Sequence, residues 1–416
     1  MRENVSRRAA KLVGVYTYDT RRPAISPLFL VLPAVLVFAL VVVQVLRGLP
    51  AIQAETTLPP ATTIGQPKQL QLPSSGASAV AVAGLGTLGS GGQTTPRPLA
   101  SVTKIMTAYV ILKDHPLKPG ESGPSITTTA ADAARYSQML AQDQSALPVS
   151  AGMTFSELEL LQGMLVPSAN NFAEILAAWD AGSIAAFLQK MNAEAKALGM
   201  MNTSYADTSG FSASSVSTAA DQLILARAAM QDQVFAQIVG MKQVRLPGIG
   251  LVSNVNELLG QDGVIGIKTG FTEEAGGNLA FAARRQVGDQ QVDIVGIVLG
   301  QADHQAAFAA TSRIIAQVMQ GLQTAKVVSA GQVVATVKPA WADEVKVVAG
   351  ADAQMLVWPG MAVQASVQLD PLKAPLKKGD QVGWLELKLG EQQARVPLTL
   401  ASDLPKAGVL WRLTRT

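Results

Sequence analysis

Apolar residues run from Ile25 to Leu46 without a single charge, and the rest of the chain then divides between helical and alternating periodicity. At about 1.5 Å per residue, that run reaches across roughly 30 Å of hydrocarbon. Residues 55–76 are rich in Thr, Pro, Gln and Ser, lack a period, and read as a spacer. Residues 78–83 suit a strand, and Gly89-Ser90-Gly91-Gly92 reads as a turn. Thr154 with Glu157 forms a capping-box pattern ahead of Leu158, Leu161, Met164 and Leu165. Ile184, Phe187, Leu188, Met191 and Leu198 recur at helical spacing, with Gly199 as a stop. Thr218 with Asp221 marks another helix start. Strands follow at 264–268, 279–283 and 292–299, then a helix over 306–322. From Val327 the helical period is lost. Alternating stretches at 333–337, 345–348 and 362–369 are separated by Gly, Pro and Asp.

A strand, a helical insertion, consecutive strands and a closing helix predict an α/β (α+β) fold, a sheet with helices packed on it. The expected organisation is a basic leader over 1–24, a transmembrane helix over 25–46 and a linker over 47–76. A catalytic domain over 77–324 and a β-rich C-terminal domain over 325–416 complete it. Arg2, Arg7, Arg8, Lys11, Arg21 and Arg22 precede the apolar run against Glu3 and Asp19, and Arg47 follows it. That asymmetry predicts a cytoplasmic N-terminus with the rest of the chain outside the cell membrane. The alternatives are a buried core helix and a signal peptide cleaved after Ala54. The long leader and Ile52, which spoils the small-x-small pattern, favour a retained anchor.

Composition narrows the chemistry. The chain of 416 residues is 48% hydrophobic, has a net charge of +3, and lacks a basic block with interleaved aromatics, which argues against nucleic acid. Cysteine is absent, which excludes disulfides, thiol catalysis and Cys-type zinc sites. Only His115 and His304 are available to a Ser-His-Asp triad.

Three short motifs carry another chemistry. Ser101-Val102-Thr103-Lys104 opens an apolar helical run, which places Ser101 and Lys104 on one side. Lys104 can take the proton of the Ser101 hydroxyl once burial or a nearby cation, Lys268, lowers its pKa. Taken alone, Ser101 fits an N-cap and Lys104 a solvated side chain. Ser168-Ala169-Asn170 lies in a polar break between helical patterns. Its serine can relay a proton to a leaving amine, and its asparagine can donate to a substrate carbonyl. A helix cap after Pro167 is the plainer use of both. Lys268-Thr269-Gly270 ends a strand, where Lys268 and Thr269 can bind a carboxylate. There Gly270 admits a close backbone, and the Phe271 N–H can serve an oxyanion. The order of the three motifs is what makes serine acylation the preferred reading.

The neighbouring words strengthen it: Leu99-Ala-Ser-Val-Thr-Lys-Ile-Met-Thr-Ala108, Leu165-Val-Pro-Ser-Ala-Asn-Asn171, Leu198-Gly-Met-Met-Asn-Thr203, Ser217-Thr-Ala-Ala-Asp221 and Ile267-Lys-Thr-Gly-Phe-Thr272. Over roughly residues 77–322 the chain resembles the serine-type D-alanyl-D-alanine carboxypeptidases, the low-molecular-mass penicillin-binding proteins. The resemblance implies a penicillin-binding/β-lactamase-like antiparallel sheet. It also implies hydrolysis of the terminal D-Ala-D-Ala bond of peptidoglycan stem peptides, covalent inhibition by β-lactams, and no metal or organic cofactor. It makes Ser101 the nucleophile, Lys104 the base, Ser168 and Asn170 the second motif, and Lys268 the carboxylate binder. Many members carry a C-terminal amphipathic anchor, whereas the anchor expected here is N-terminal. One rival is a serine β-lactamase, opposed by the lack of Glu in 199–210 and by Ser-Ala-Asn in place of Ser-Asp-Asn. The other is a non-catalytic cell-wall binding protein, opposed by the complete motif set.

Overall fold

The structure, a computed structural model, describes residues 27–415. The basic leader of the sequence analysis therefore lies outside the described residues. Pro27–Leu46 is a helix of 20 residues with no charged side chain. Among the described residues no helix is long and apolar enough to cross a membrane. The spanning helix expected over 25–46 is thus not shown. Residues 25 and 26 lie outside the described chain, and the side chains of Pro27, Leu28 and Leu30 are not described.

A five-stranded antiparallel sheet forms the centre of the region ahead of the C-terminal strands, ordered Val264–Thr272, Gly276–Val287, Gln290–Gln301, Ala77–Val82, Gly86–Gly92. Alternation sends its side chains to two cores. Ala79, Ala81, Ile267, Ala280, Ala282, Val295 and Ile297 face the helical lobe, where Lys104–Asp114, Glu157–Leu165 and Asn170–Ala181 pack. Val80, Val82, Leu279, Phe281, Ile294 and Val298 face helix His304–Gly321. Gly89-Ser90-Gly91-Gly92, expected as a turn, is edge strand instead. Pairing with Ala77–Val82 overrides the weak strand preference of glycine, and the chain reverses at 83–85.

The capping box also moves. Ser156 and Glu159 form it; Thr154 lies in the short strand Thr154–Ser156. Both pairs satisfy the same spacing, and strand pairing with Ser125–Thr127 decides between them. Glu157 is left buried with both carboxylate oxygens unpartnered, and burial pushes its pKa up to about 7.

The C-terminal region is a seven-stranded antiparallel sheet. Val333–Lys338, Val345–Ala349 and Ala362–Leu369 form where alternation placed strands. Both of its margins come from the 47–76 stretch expected as a linker. Gln53–Thr56 pairs with Val333–Lys338 at one edge, and Ala61–Thr63 with Ala362–Leu369 at the other. This region shares one apolar core with helix His304–Gly321 and the rear of the five-stranded sheet. Arg227 adds two hydrogen bonds to Glu391, at 2.7 and 2.9 Å. The chain closes with Val409–Thr414, a short helix beside Pro27–Leu46. Arg412 donates to Val45 O, and Arg415 to Gln44 O, Arg47 O and Gly48 O.

Candidate active site

The three motifs meet where the helical lobe touches the open edge of the Val264–Thr272 strand. Ala100–Thr103 is a single 3-10 turn, and helix Lys104–Asp114 begins directly after it. Ser101 therefore precedes the α-helix that it was expected to open. At three residues per turn, positions i and i+3 eclipse. Lys104 thus lies under Ser101, and its Nζ donates to Ser101 Oγ at 2.8 Å.

Lys104 is fully buried and contacts Asn170 Oδ1 at 2.6 Å, Ser209 O at 3.2 Å and Ser168 Oγ at 3.4 Å. Burial first, then the nearby charge of Lys268, holds its pKa well below the ordinary lysine range; Asp207 pulls the other way. A neutral amine keeps a lone pair, so this lysine can receive the Ser101 proton.

Ser168 links the two lysines. Lys268 Nζ donates to Ser168 Oγ at 2.9 Å and to Thr269 O at 3.0 Å. Lys268 is buried too, and burial brings its pKa down to about 7. The sequence argument required a charged Lys268, and its burial opposes that charge. A carboxylate beside it favours the charged form. Ser168 adopts φ +70° and Ala100 φ +46°, the left-handed region that non-glycine residues rarely enter. Strain of about 1–3 kcal/mol per residue persists where the surroundings over-determine it.

Asn170 opens helix Asn170–Ala181. Its oxygen faces Lys104 and its Nδ2 donates to Gln144 Oε1 at 2.8 Å. The expected donation from Asn170 to a substrate carbonyl thus competes with Gln144. Thr269 is buried beside Lys268, and Phe271 is exposed with its ring 5.7 Å from that of His304.

Gly270 sets the distance between strand and nucleophile. A Cβ there would stand 2.9 Å from Ser101 N and 3.1 Å from both Leu99 O and Val102 N. Asn278, paired with Gly270 across the ladder, donates to Leu99 O at 2.9 Å and accepts from Gly300 N at 2.7 Å. The turn that carries Ser101 is thereby fixed to the sheet.

Three partners escaped the sequence reading: Gln144, Ser209 O and Asp207. All three act through long-range contacts, one of them from a backbone atom, and no local motif announces them. Neither histidine touches Ser101 among the described contacts. His115 pairs with Asp180 at 2.9 Å, and His304 stacks near Phe271 and Phe308. Among the described residues no group of three His, Asp or Glu can hold a metal ion.

Comparison with known proteins fits this geometry. A family model described as D-alanyl-D-alanine carboxypeptidase matches residues 68–303, and one described as penicillin-binding protein 5, C-terminal domain, matches residues 322–406. D-alanyl-D-alanine carboxypeptidase DacC of Escherichia coli is 28% identical over 333 residues, which is 76% of this chain and 80% of the relative. DacF of Bacillus subtilis is 28% identical over 332 residues, 76% of this chain and 82% of the relative. Among solved structures, the Francisella tularensis carboxypeptidase DacD superposes with a TM-score of 0.57 at 23% identity, covering 83% of this chain and 97% of that one. The Streptomyces K15 DD-transpeptidase gives 0.54 at 27% identity, covering 60% and 100%.

Proposed function

Because the chain belongs to the D-alanyl-D-alanine carboxypeptidase family and is a serine-type DD-carboxypeptidase of peptidoglycan metabolism, we propose a role for each residue of its site. Ser101 Oγ attacks the carbonyl of the penultimate D-Ala while its proton passes to Lys104 Nζ. The oxyanion is met by the Ser101 and Phe271 N–H groups. Ser168 hands a proton on to the departing amine, the terminal D-Ala leaves, and water hydrolyses the acyl-enzyme. Lys268 and Thr269 hold the free carboxylate, which restricts cleavage to a chain end. β-Lactams acylate the same serine.

The observation that supports this most is the 2.8 Å contact between a fully buried Lys104 and Ser101. Labelling with a fluorescent penicillin tests it. Ser101→Ala should lose labelling and D-Ala release together while remaining folded; substantial residual labelling would remove Ser101 from the role.

The apolar helix is read as a retained single-pass anchor with the catalytic domain outside the cell. In support, Pro27–Leu46 is uncharged, and Phe29, Leu32, Leu36 and Phe38 are largely exposed on it. Intact-mass measurement of the membrane fraction should find the N-terminal residues attached. A mature chain starting near Glu55 would show a cleaved signal instead.

A further inference from the structure

Asp207 sits behind the base, in the loop between helix Ile184–Ala197 and strand Val216–Ser217, and no motif of the sequence analysis includes it. Its Oδ2 accepts from Phe211 N at 2.9 Å, Ser209 Oγ at 2.8 Å and Ser209 N at 3.3 Å. Its Oδ1 accepts from the Ser215 hydroxyl, and Ser215 Oγ in turn accepts from Ala206 N and Asp207 N. One carboxylate thus ties position 207 to Ser209, Phe211 and Ser215.

Two products of that closure reach the reacting groups. Ser209 O is aimed at Lys104 Nζ, 3.2 Å away. Gly210, at φ +82°, lies so close to the nucleophile turn that a Cβ would meet Ala100 O at 1.7 Å and Thr103 Oγ1 at 2.6 Å. Ala100 is the residue in the left-handed region immediately before Ser101. We propose that Asp207 is a positioning residue of the acylation step: its carboxylate folds 206–211 into the brace that seats Lys104 and the Ser101 turn, and its charge is the local counterweight to the paired lysines.

Lys268 faces Lys104 from strand Val264–Thr272 and disfavours its charge; Asp207 faces it from the loop and favours it. His304, from helix His304–Gly321, lies toward Lys268 rather than Lys104. Substitution can remove the charge while keeping most of the brace. In Asp207→Asn the remaining oxygen can still accept from the Ser209 hydroxyl and from the Ser209 and Phe211 N–H groups. The amide cannot accept from the Ser215 hydroxyl, so that one bond goes with the charge. In Asp207→Ala the whole set is lost.

The inference rests on Lys104 as base, and Lys104→Ala tests that separately. The experiment is the rate of acylation by a fluorescent penicillin from pH 5 to 10, with thermal melting of the same samples. Asp207→Asn should fall between the native chain and Asp207→Ala in melting temperature and plateau rate. Its acid limb should move to lower pH by about a unit or less, because Lys104 no longer has a negative neighbour. Asp207→Ala should acylate ~10–100-fold more slowly, the scale of loss expected when reacting groups are displaced by about an ångström. Asp207→Asn with an unshifted acid limb overturns the electrostatic part. A native rate in Asp207→Ala overturns the brace. If Asp207→Ala fails to fold, the Asn variant still decides the question.

Discussion

The catalytic seam and the C-terminal sheet are both antiparallel β-structure over apolar cores, yet they treat charge in opposite ways. In the seam, Lys104 and Lys268 are buried beside Ser168, Asn170 and Thr269. In the C-terminal sheet the charges stay outside, as in Lys338 with Glu55 and Glu344, and Thr336 is the buried polar residue noted among its strands. Burying a charged group costs stability unless it is paired or neutralised. The seam bears that cost to obtain lysines of low pKa, and the C-terminal sheet has no such need. One region is built for reactivity, the other for cohesion.

The largest expected effect tests the seam. Lys104→Ala should slow acylation by peptides and penicillins alike, by on the order of 10^4-fold, as removal of a member of a coupled catalytic unit does. Stopped-flow labelling measures this, and a rate within tenfold of native would assign the base elsewhere.

Lys268→Ala is the next test. It should lose roughly 10–100-fold on a substrate with a free C-terminal carboxylate, in line with a charge-assisted hydrogen bond of about 1.5–3 kcal/mol. The amidated substrate should lose much less. Equal losses would mean that Lys268 does not read the carboxylate.

The opposite pole is the C-terminal core. Leu398 is fully buried, and Leu398→Ala should destabilise by about 2–5 kcal/mol in urea melts. Penicillin acylation at 25 °C should stay native, and a parallel fall would show that the two regions are not separable.

Titration sharpens the contrast further. Lys268 has a folded pKa of about 7, whereas an unfolded lysine titrates near 10.4. Between those values the unfolded chain binds more protons, so stability should rise with pH from about 7 towards 10. Lys104 contributes with the same sign. Lys268→Met should flatten the rise in melting temperature across that window. Glu157 has the reverse sign: its folded pKa is about 7 against an unfolded value near 4.3, so its share of stability falls as pH rises through that interval. Glu157→Gln should therefore raise the melting temperature at pH 8 and not at pH 4. The smallest effect belongs to the exposed Lys338, whose replacement by Ala should leave both melting and acylation unchanged.

What could be read in the sequence divides along physical lines. The three motifs were legible because acylation demands particular side chains at short spacings, and the structure gathers Ser101, Lys104, Ser168, Asn170 and Lys268 through contacts of 2.6–3.4 Å. Strands with strong alternation, such as Ala362–Leu369, were equally plain. Gln53–Thr56 was not, because its residues have little β-preference and it is a strand only through a partner beyond residue 332. The turn read over residues 89–92 failed differently: Gly86–Gly92 pairs within its own hairpin with Ala77–Val82, and glycines with no β-preference hide it. The Asn170–Gln144 contact was hidden as well, as nothing near Gln144 marks it as a partner.

The edge strands contributed by residues 53–63 also determine how the molecule responds to force. A pull on the chain ahead of Gln53 does not arrive first at the strand that carries Lys268. It is taken up by the ladder of Gln53–Thr56 against Lys338–Ala335, and then by Ala61–Thr63 on the far margin. Tension from the amino-terminal side thus meets the margins of the C-terminal sheet before it meets the strands that carry Lys268 and Gly270.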